Sequence, residues 1–166
     1  MQFEVGDTVF HPVHGVGHIT AISENRFVGN QNRQYYEVAT EKSTIWVPIE
    51  ASATIGLRRV TVKRDLARYR SVLKSHPTWL DDDHGKRRLY IANRLKEGSL
   101  DVACQVVRDL TARGWNKRLT QVDTIALRKV REGLDQEWAA AEGVSIAEAT
   151  QEIDALLLEG RQTYMS

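Results

Sequence analysis

Val5-Gly6-Asp7-Thr8-Val9 runs into Pro12-Val13-His14-Gly15-Val16-Gly17, and further on Tyr35-Tyr36-Glu37-Val38 runs into Val47-Pro48-Ile49-Glu50. Short alternating apolar segments punctuated by glycine and proline describe a small, twisted antiparallel β-barrel of the SH3-like (Tudor-like) kind. Strands are expected over residues 8–10, 18–23, 34–40 and 43–47, with residues 55–59 available to close the barrel and Gly29-Asn30 in the longest turn. Gly15 and Gly17 are expected where a Cβ would obstruct the bend after the first turn. They do not form a phosphate loop, because His18-Ile19-Thr20-Ala21-Ile22 continues as alternating strand where a helix N-terminus would be needed.

After Val62 the apolar period lengthens from two to about 3.6, with Leu66, Tyr69, Val72 and Leu73 on one helical face. Pro77 ends that helix, since it disfavours helical geometry at His76 and has no N–H to donate. Asp81-Asp82-Asp83 then suits the positive end of a second helix over residues 84–97, stopped by Gly98. A third helix over 99–113 carries Val102, Val106 and Leu110, with Gly114 as its expected stop. A fourth starts near Thr120 and carries Leu127, Val130, Leu134 and Trp138. Ser145-Ile146-Ala147-Glu148 is a capping box opening a fifth, whose inward face is Ala149, Ile153, Leu156 and Leu157. The expected class is α+β: a barrel over residues 1–59, then a compact domain of about five helices over 60–166.

The 166 residues, 42% hydrophobic, suffice for cores without staples. The single cysteine, Cys104, lies among Val102, Ala103, Val106 and Val107, so it forms no disulfide within the chain and reads as a buried thiol. Glu4 and Asp7 stand where a signal peptide would be basic and then apolar, which gives a cytoplasmic expectation with no membrane partner. The net charge of +1 conceals a segregation. Residues 1–59 hold five Lys/Arg against six Asp/Glu, residues 60–132 seventeen against nine, and residues 133–166 one against seven. The middle block is the candidate polyanion-binding region, against the alternative of ordinary solvated helix faces.

The chain resembles the CarD/CdnL family of bacterial RNA polymerase-binding transcription regulators, whose barrel is shared with transcription-repair coupling factors. The resemblance rests on Phe3-Glu4-Val5-Gly6-Asp7-Thr8-Val9, Pro12 to Gly17, Val47-Pro48 with Ile55-Gly56-Leu57-Arg58, and Val106-Val107-Arg108-Asp109-Leu110. It implies a barrel that binds the polymerase β subunit and a helical domain that reaches promoter DNA at the upstream edge of the bubble, altering open-complex stability. It implies no enzymatic activity and no cofactor, and a monomer is expected.

For polymerase binding the candidates are Arg26, Thr44, Ile45 and Trp46, because an exposed strand edge lets a partner strand satisfy open backbone groups. Many relatives carry arginine at the position of Trp46 and a second basic residue near Asn25; this chain departs at both. Trp46 either lines the outer face or packs inside, and Ile45 must face the other way. On the DNA side, the family's wedge is a tryptophan immediately before a basic helix. Counting back from the Val106 segment without gaps places His84 there, with Trp79 five residues earlier. Trp79 is then a relocated wedge or a core residue. Lys86, Arg87, Arg88 and Arg94, with Lys117 and Arg118, are the candidate phosphate contacts, while Arg64, Arg68 and Arg70 read as solvated.

A metal site of His11, His14 and His18 is disfavoured, since Pro12 and Gly15 interrupt the spacing and no cysteine or carboxylate set completes a shell. Two functions remain. One is a regulator that tethers to polymerase and supports the opened promoter; the other is a protein adaptor, on polymerase or another partner, with no functional DNA contact.

Overall fold

The computed structural model describes residues 2–25 and 33–165. The chain divides into two compact units, Met1–Val60 and Thr61–Ser166.

In the first unit, β1 (Thr8–His11), β2 (Gly15–Asn25), β3 (Arg33–Thr40), β4 (Thr44–Pro48) and β5 (Arg58–Arg59) form an antiparallel sheet in the order β4-β3-β2-β1-β5. The sheet curls like a barrel but does not close, because β4 and β5 are its two edges. Phe3, Val9, Ile19, Tyr36, Val38, Val47 and Leu57 fill its interior. The Tyr36 hydroxyl accepts hydrogen bonds from the Gln2 and Phe3 amides at 3.1 and 3.2 Å, tying the N-terminal segment to β3. Gly15 adopts φ 77°, which a Cβ would strain. Gly17 serves differently: a Cβ there would meet Val38 Cγ1 at 2.6 Å, so its smallness lets β2 lie close on β3. A bulge between Ile19 and Ala21 adds local twist to β2. Of residues 55–59, only Arg58 and Arg59 are strand; Ser52–Ile55 is a helical turn, α1.

The second unit contains α2 (Leu66–Lys74), α3 (His84–Leu95), α4 (Leu100–Asn116), α5 (Gln121–Glu142) and α6 (Ile146–Tyr164). The main core joins Leu66, Tyr69 and Leu73 of α2, Leu100, Cys104 and Val107 of α4, Leu134 and Trp138 of α5, and Ala149, Ile153 and Leu157 of α6. The opposite face of α4, through Val102, Val106 and Leu110, packs on Ile91 of α3. α4 is thus covered on two sides. Burial pushes the Cys104 thiol far up, with the charge of Asp101 adding to it.

Gly114 does not end α4, which continues through it to Asn116. A Cβ at Gly114 would meet the Leu119 side chain at 3.6 Å, an ordinary van der Waals contact, so the glycine neither stops the helix nor is demanded by packing there. The Ser145/Glu148 capping box opens α6 with both reciprocal bonds in place, the Glu148 amide donating to Ser145 Oγ at 3.0 Å and the Ser145 amide to Glu148 Oε1 at 3.3 Å.

Candidate functional site

In the first unit, β4 pairs with β3 on one side through Thr44↔Ala39, Ile45↔Val38 and Trp46↔Glu37, and forms the sheet edge on the other. Strand alternation decides which of its large residues faces out. Ile45 packs against the core, whereas Trp46 is 46% exposed and its indole N–H donates to Glu37 Oε1 at 2.9 Å. Thr44 is also exposed. The edge therefore presents an amphipathic ring held by its cross-strand neighbour. Arg26 lies outside the described residues.

The histidines of this unit have local partners. His11 Nδ1 accepts from the amides of Val13 and His14 at 3.0 and 3.2 Å, capping the β1–β2 turn, and His18 Nδ1 hydrogen-bonds Thr8 Oγ1 at 3.1 Å. Burial and the neighbouring His14 lower the pKa of His11, which suits an imidazole that must keep a lone pair for the turn. Among the described residues no group of three or more His, Cys, Asp or Glu is placed to hold a metal.

In the second unit, the three aspartates ahead of α3 take three separate tasks. Asp83 caps α3, accepting from the Lys86 amide at 2.9 Å. Asp81 Oδ1 accepts from the Asp83 amide at 2.8 Å. Asp82 binds Lys117 at 2.5 Å and Arg113 at 3.2 Å, and those two hydrogen bonds hold its carboxyl below the ordinary range.

The cations split into those the fold consumes and those it leaves to solvent. Arg87 is a correction to the phosphate set: its side chain is 1% exposed and its Nε lies 2.8 Å from Asp123 Oδ2 on α5. Its remaining N–H groups donate to the Asp81 and Asp82 carbonyls, at 2.9 and 3.1 Å, and to His84 Nδ1 at 3.1 Å. No phosphate reaches a guanidinium so enclosed. The sequence contained the sign, since Arg87, Ile91 and Leu95 recur every four residues and share the inward stripe. Arg94 is half-buried and engaged with Glu97, at 3.3 Å, and with Gln105. Lys117 is exposed but shared with Asp82. Lys86, Arg88 and Arg118 are exposed and have no ion-pair partner among the described residues. Arg128 and Lys129 of α5 have the same standing and were missed in sequence, where they read as part of a long helix.

Trp79 stands in the loop between α2 and α3, 49% exposed, with an edge-on contact to His76 at 6.3 Å. It is not a core residue; Trp138, fully buried, is. His84 is exposed at the first turn of α3 and turned toward Arg87. Exposed Leu89 and Tyr90 on α3 and Val122 and Ile125 on α5 add apolar surface that sequence reading passed over.

The acidic end of the chain is spent on α2 and α5. Arg70 binds Glu142 at 2.7 Å and Glu152 at 3.2 Å, Lys74 lies 3.9 Å from Glu159, and Arg131 binds Asp135 and Asp154 at 2.8 Å. Arg70 therefore is not merely solvated. Burial opposes ionisation of Glu152, but the Arg70 and Trp138 hydrogen bonds bring its carboxyl to a net depression. No helix among the described residues is long and apolar enough to cross a membrane.

Comparison with known proteins gives the two units one context. Residues 3–61 match the family model described as CarD-like/TRCF RID domain, and residues 68–154 match that of the CarD C-terminal domain. The chain is also 27% identical over 149 residues to the candidate transcription factor YdeB of Bacillus subtilis (strain 168), covering 87% of this chain and 95% of that one. This is a family of transcription regulators, not of enzymes, and it implies interaction with RNA polymerase in general. With both family domains present in order along its length, the chain belongs to the CarD/CdnL family of transcription regulators.

Proposed function

We propose that the first unit binds the RNA polymerase β subunit along the β4 edge and that the second contacts promoter DNA at the upstream edge of the bubble without reading sequence. The observation that carries the reading is β4 itself: an edge strand, in a unit matching the CarD-like/TRCF RID model, with a half-exposed tryptophan on its outer face. An added strand gains main-chain hydrogen bonds there, and the ring at Trp46 supplies an interface anchor. On the second unit, Lys86, Arg88 and Arg118 support phosphate contact because positive charge within reach is all it needs. Exposure of Trp79 ahead of α3 supports a wedge or stacking role.

The mechanism is linkage. Tighter binding to the open complex than to the closed one shifts the equilibrium, tenfold for about 1.4 kcal/mol of differential affinity. Tethering through β4 raises the local concentration of DNA contacts that are weak alone. Binding of the full-length chain to purified β subunit, compared with Trp46→Ala, tests the tether: a weakening of about tenfold or more is expected. Equal binding by the two proteins would remove Trp46 from the interface.

A second reading, a protein adaptor, is favoured by exposed Leu89, Tyr90, Val122 and Ile125, which suit a protein partner as well as DNA. It predicts that alanine at Lys86 and Arg88 leaves polymerase-dependent activity untouched.

A further inference from the structure

Trp79 is half-exposed, yet the loop that carries it is fastened to α4 along its length. The buried carboxylate of Asp109 accepts the Thr78 amide at 2.9 Å, one residue before the ring. The same oxygen accepts from Arg108 Nε at 2.8 Å, and Arg108 Nη1 donates to Ser75 Oγ at 2.7 Å. Beyond the ring, Arg113 reaches the Leu80 carbonyl at 3.5 Å and Asp82 at 3.2 Å. Pro77 is buried between these points. A loop needed only to join two helices could satisfy its polar groups with water; this one draws on a buried charge pair, a costly device unless position matters.

The geometry points to a role for the Arg108-Asp109 pair: we infer that Asp109 is the positioning residue for Trp79, holding the indole in one orientation so that no ordering cost falls due when it meets DNA. The inference rests on the wedge reading of Trp79 given above, and deepens it by assigning the wedge its support. It also gives a reason for Arg-Asp within the Val106 to Leu110 segment, since Arg108 fixes the Asp109 carboxylate and Asp109 fixes the loop.

The experiment uses the full chain with 5-fluorotryptophan, the Trp79 resonance being assigned by Trp79→Phe, together with open-complex lifetimes on purified polymerase. Asp109→Ala removes the acceptor and Thr78→Pro removes the donor from the opposite side, leaving α4 intact in case the first variant fails to fold. Each is expected to move the Trp79 fluorine resonance toward its free-chain position and to shorten the lifetime. Asp109→Asn, which keeps the acceptor oxygen, is expected to restore both. Added to Trp79→Ala, neither change should alter the lifetime by more than about twofold, because both act through the same ring. An unmoved fluorine signal in Thr78→Pro, or a further large loss on the Trp79→Ala background, overturns the assignment. A Trp79→Ala protein with wild-type lifetime sinks the wedge reading instead, and is told apart because the fluorine result does not depend on DNA.

Discussion

α2 and α3 are both short helices rich in arginine and lysine, and in sequence they differ little as candidates for a polyanion. Folded, they differ in which cations find counter-ions, although Arg68 of α2 stays exposed and donates to the Tyr69 hydroxyl at 2.8 Å. The Arg70 and Lys74 side chains of α2 are met by Glu142, Glu152 and Glu159 from the acidic end of the chain. α3 turns one arginine inward to Asp123 and leaves Lys86 and Arg88 to solvent. The excess charge of the middle block is therefore not a property of its whole surface. Sequence charge becomes a binding surface only where the fold supplies no counter-ion, and α6 supplies them to α2 and α5.

The largest effect is expected at Arg87. Arg87→Ala strands Asp123 in a buried site and is expected to cost about 3 to 5 kcal/mol of stability in chemical denaturation, whereas joint replacement of Arg87 and Asp123 by apolar residues of similar volume should be nearly neutral. A loss below about 1 kcal/mol for the single change would mean that Arg87 is solvated and belongs with the phosphate contacts after all. Arg70→Ala comes next: it removes a half-buried, doubly paired guanidinium that also lies over the Trp138 ring at 5.5 Å, and about 1 to 2 kcal/mol should be lost with DNA affinity unchanged. Lys86→Ala with Arg88→Ala should leave stability within about 0.5 kcal/mol while lowering the slope of log affinity for duplex DNA against log salt by about two. An unaltered slope there would make α3 a solvated face like any other.

How much of this was legible depends on the range of the interaction concerned. The capping box at Ser145 and Glu148, the proline stop at Pro77 and the two-residue alternation of β4 are set by neighbours in the chain, and each is visible in sequence. The direction of alternation at β4 is not, because Ile45 and Trp46 are both large and apolar; the core resolves it by accepting the smaller. Gly114 misleads as a helix stop because a glycine inside a helix costs only about 1 kcal/mol, which the packing of α4 on both its faces outweighs. Arg87 misleads because adjacent Lys86 and Arg88 make it look like one of three equal cations, although its spacing to Ile91 places it inward. The pairing of Arg70 with Glu152, 82 residues away, has no local signature at all.

Preference for the opened promoter over the closed one, while the chain is held on polymerase, is the property on which the proposed function depends. It is tested most directly by the lifetime of open complexes formed by purified polymerase on a single promoter, challenged with competitor, with and without saturating full-length protein. A longer lifetime is expected with the wild-type chain, and a gain that is lost in Trp79→Ala and reduced in Lys86→Ala with Arg88→Ala. A lifetime that is the same with and without saturating wild-type protein would contradict it.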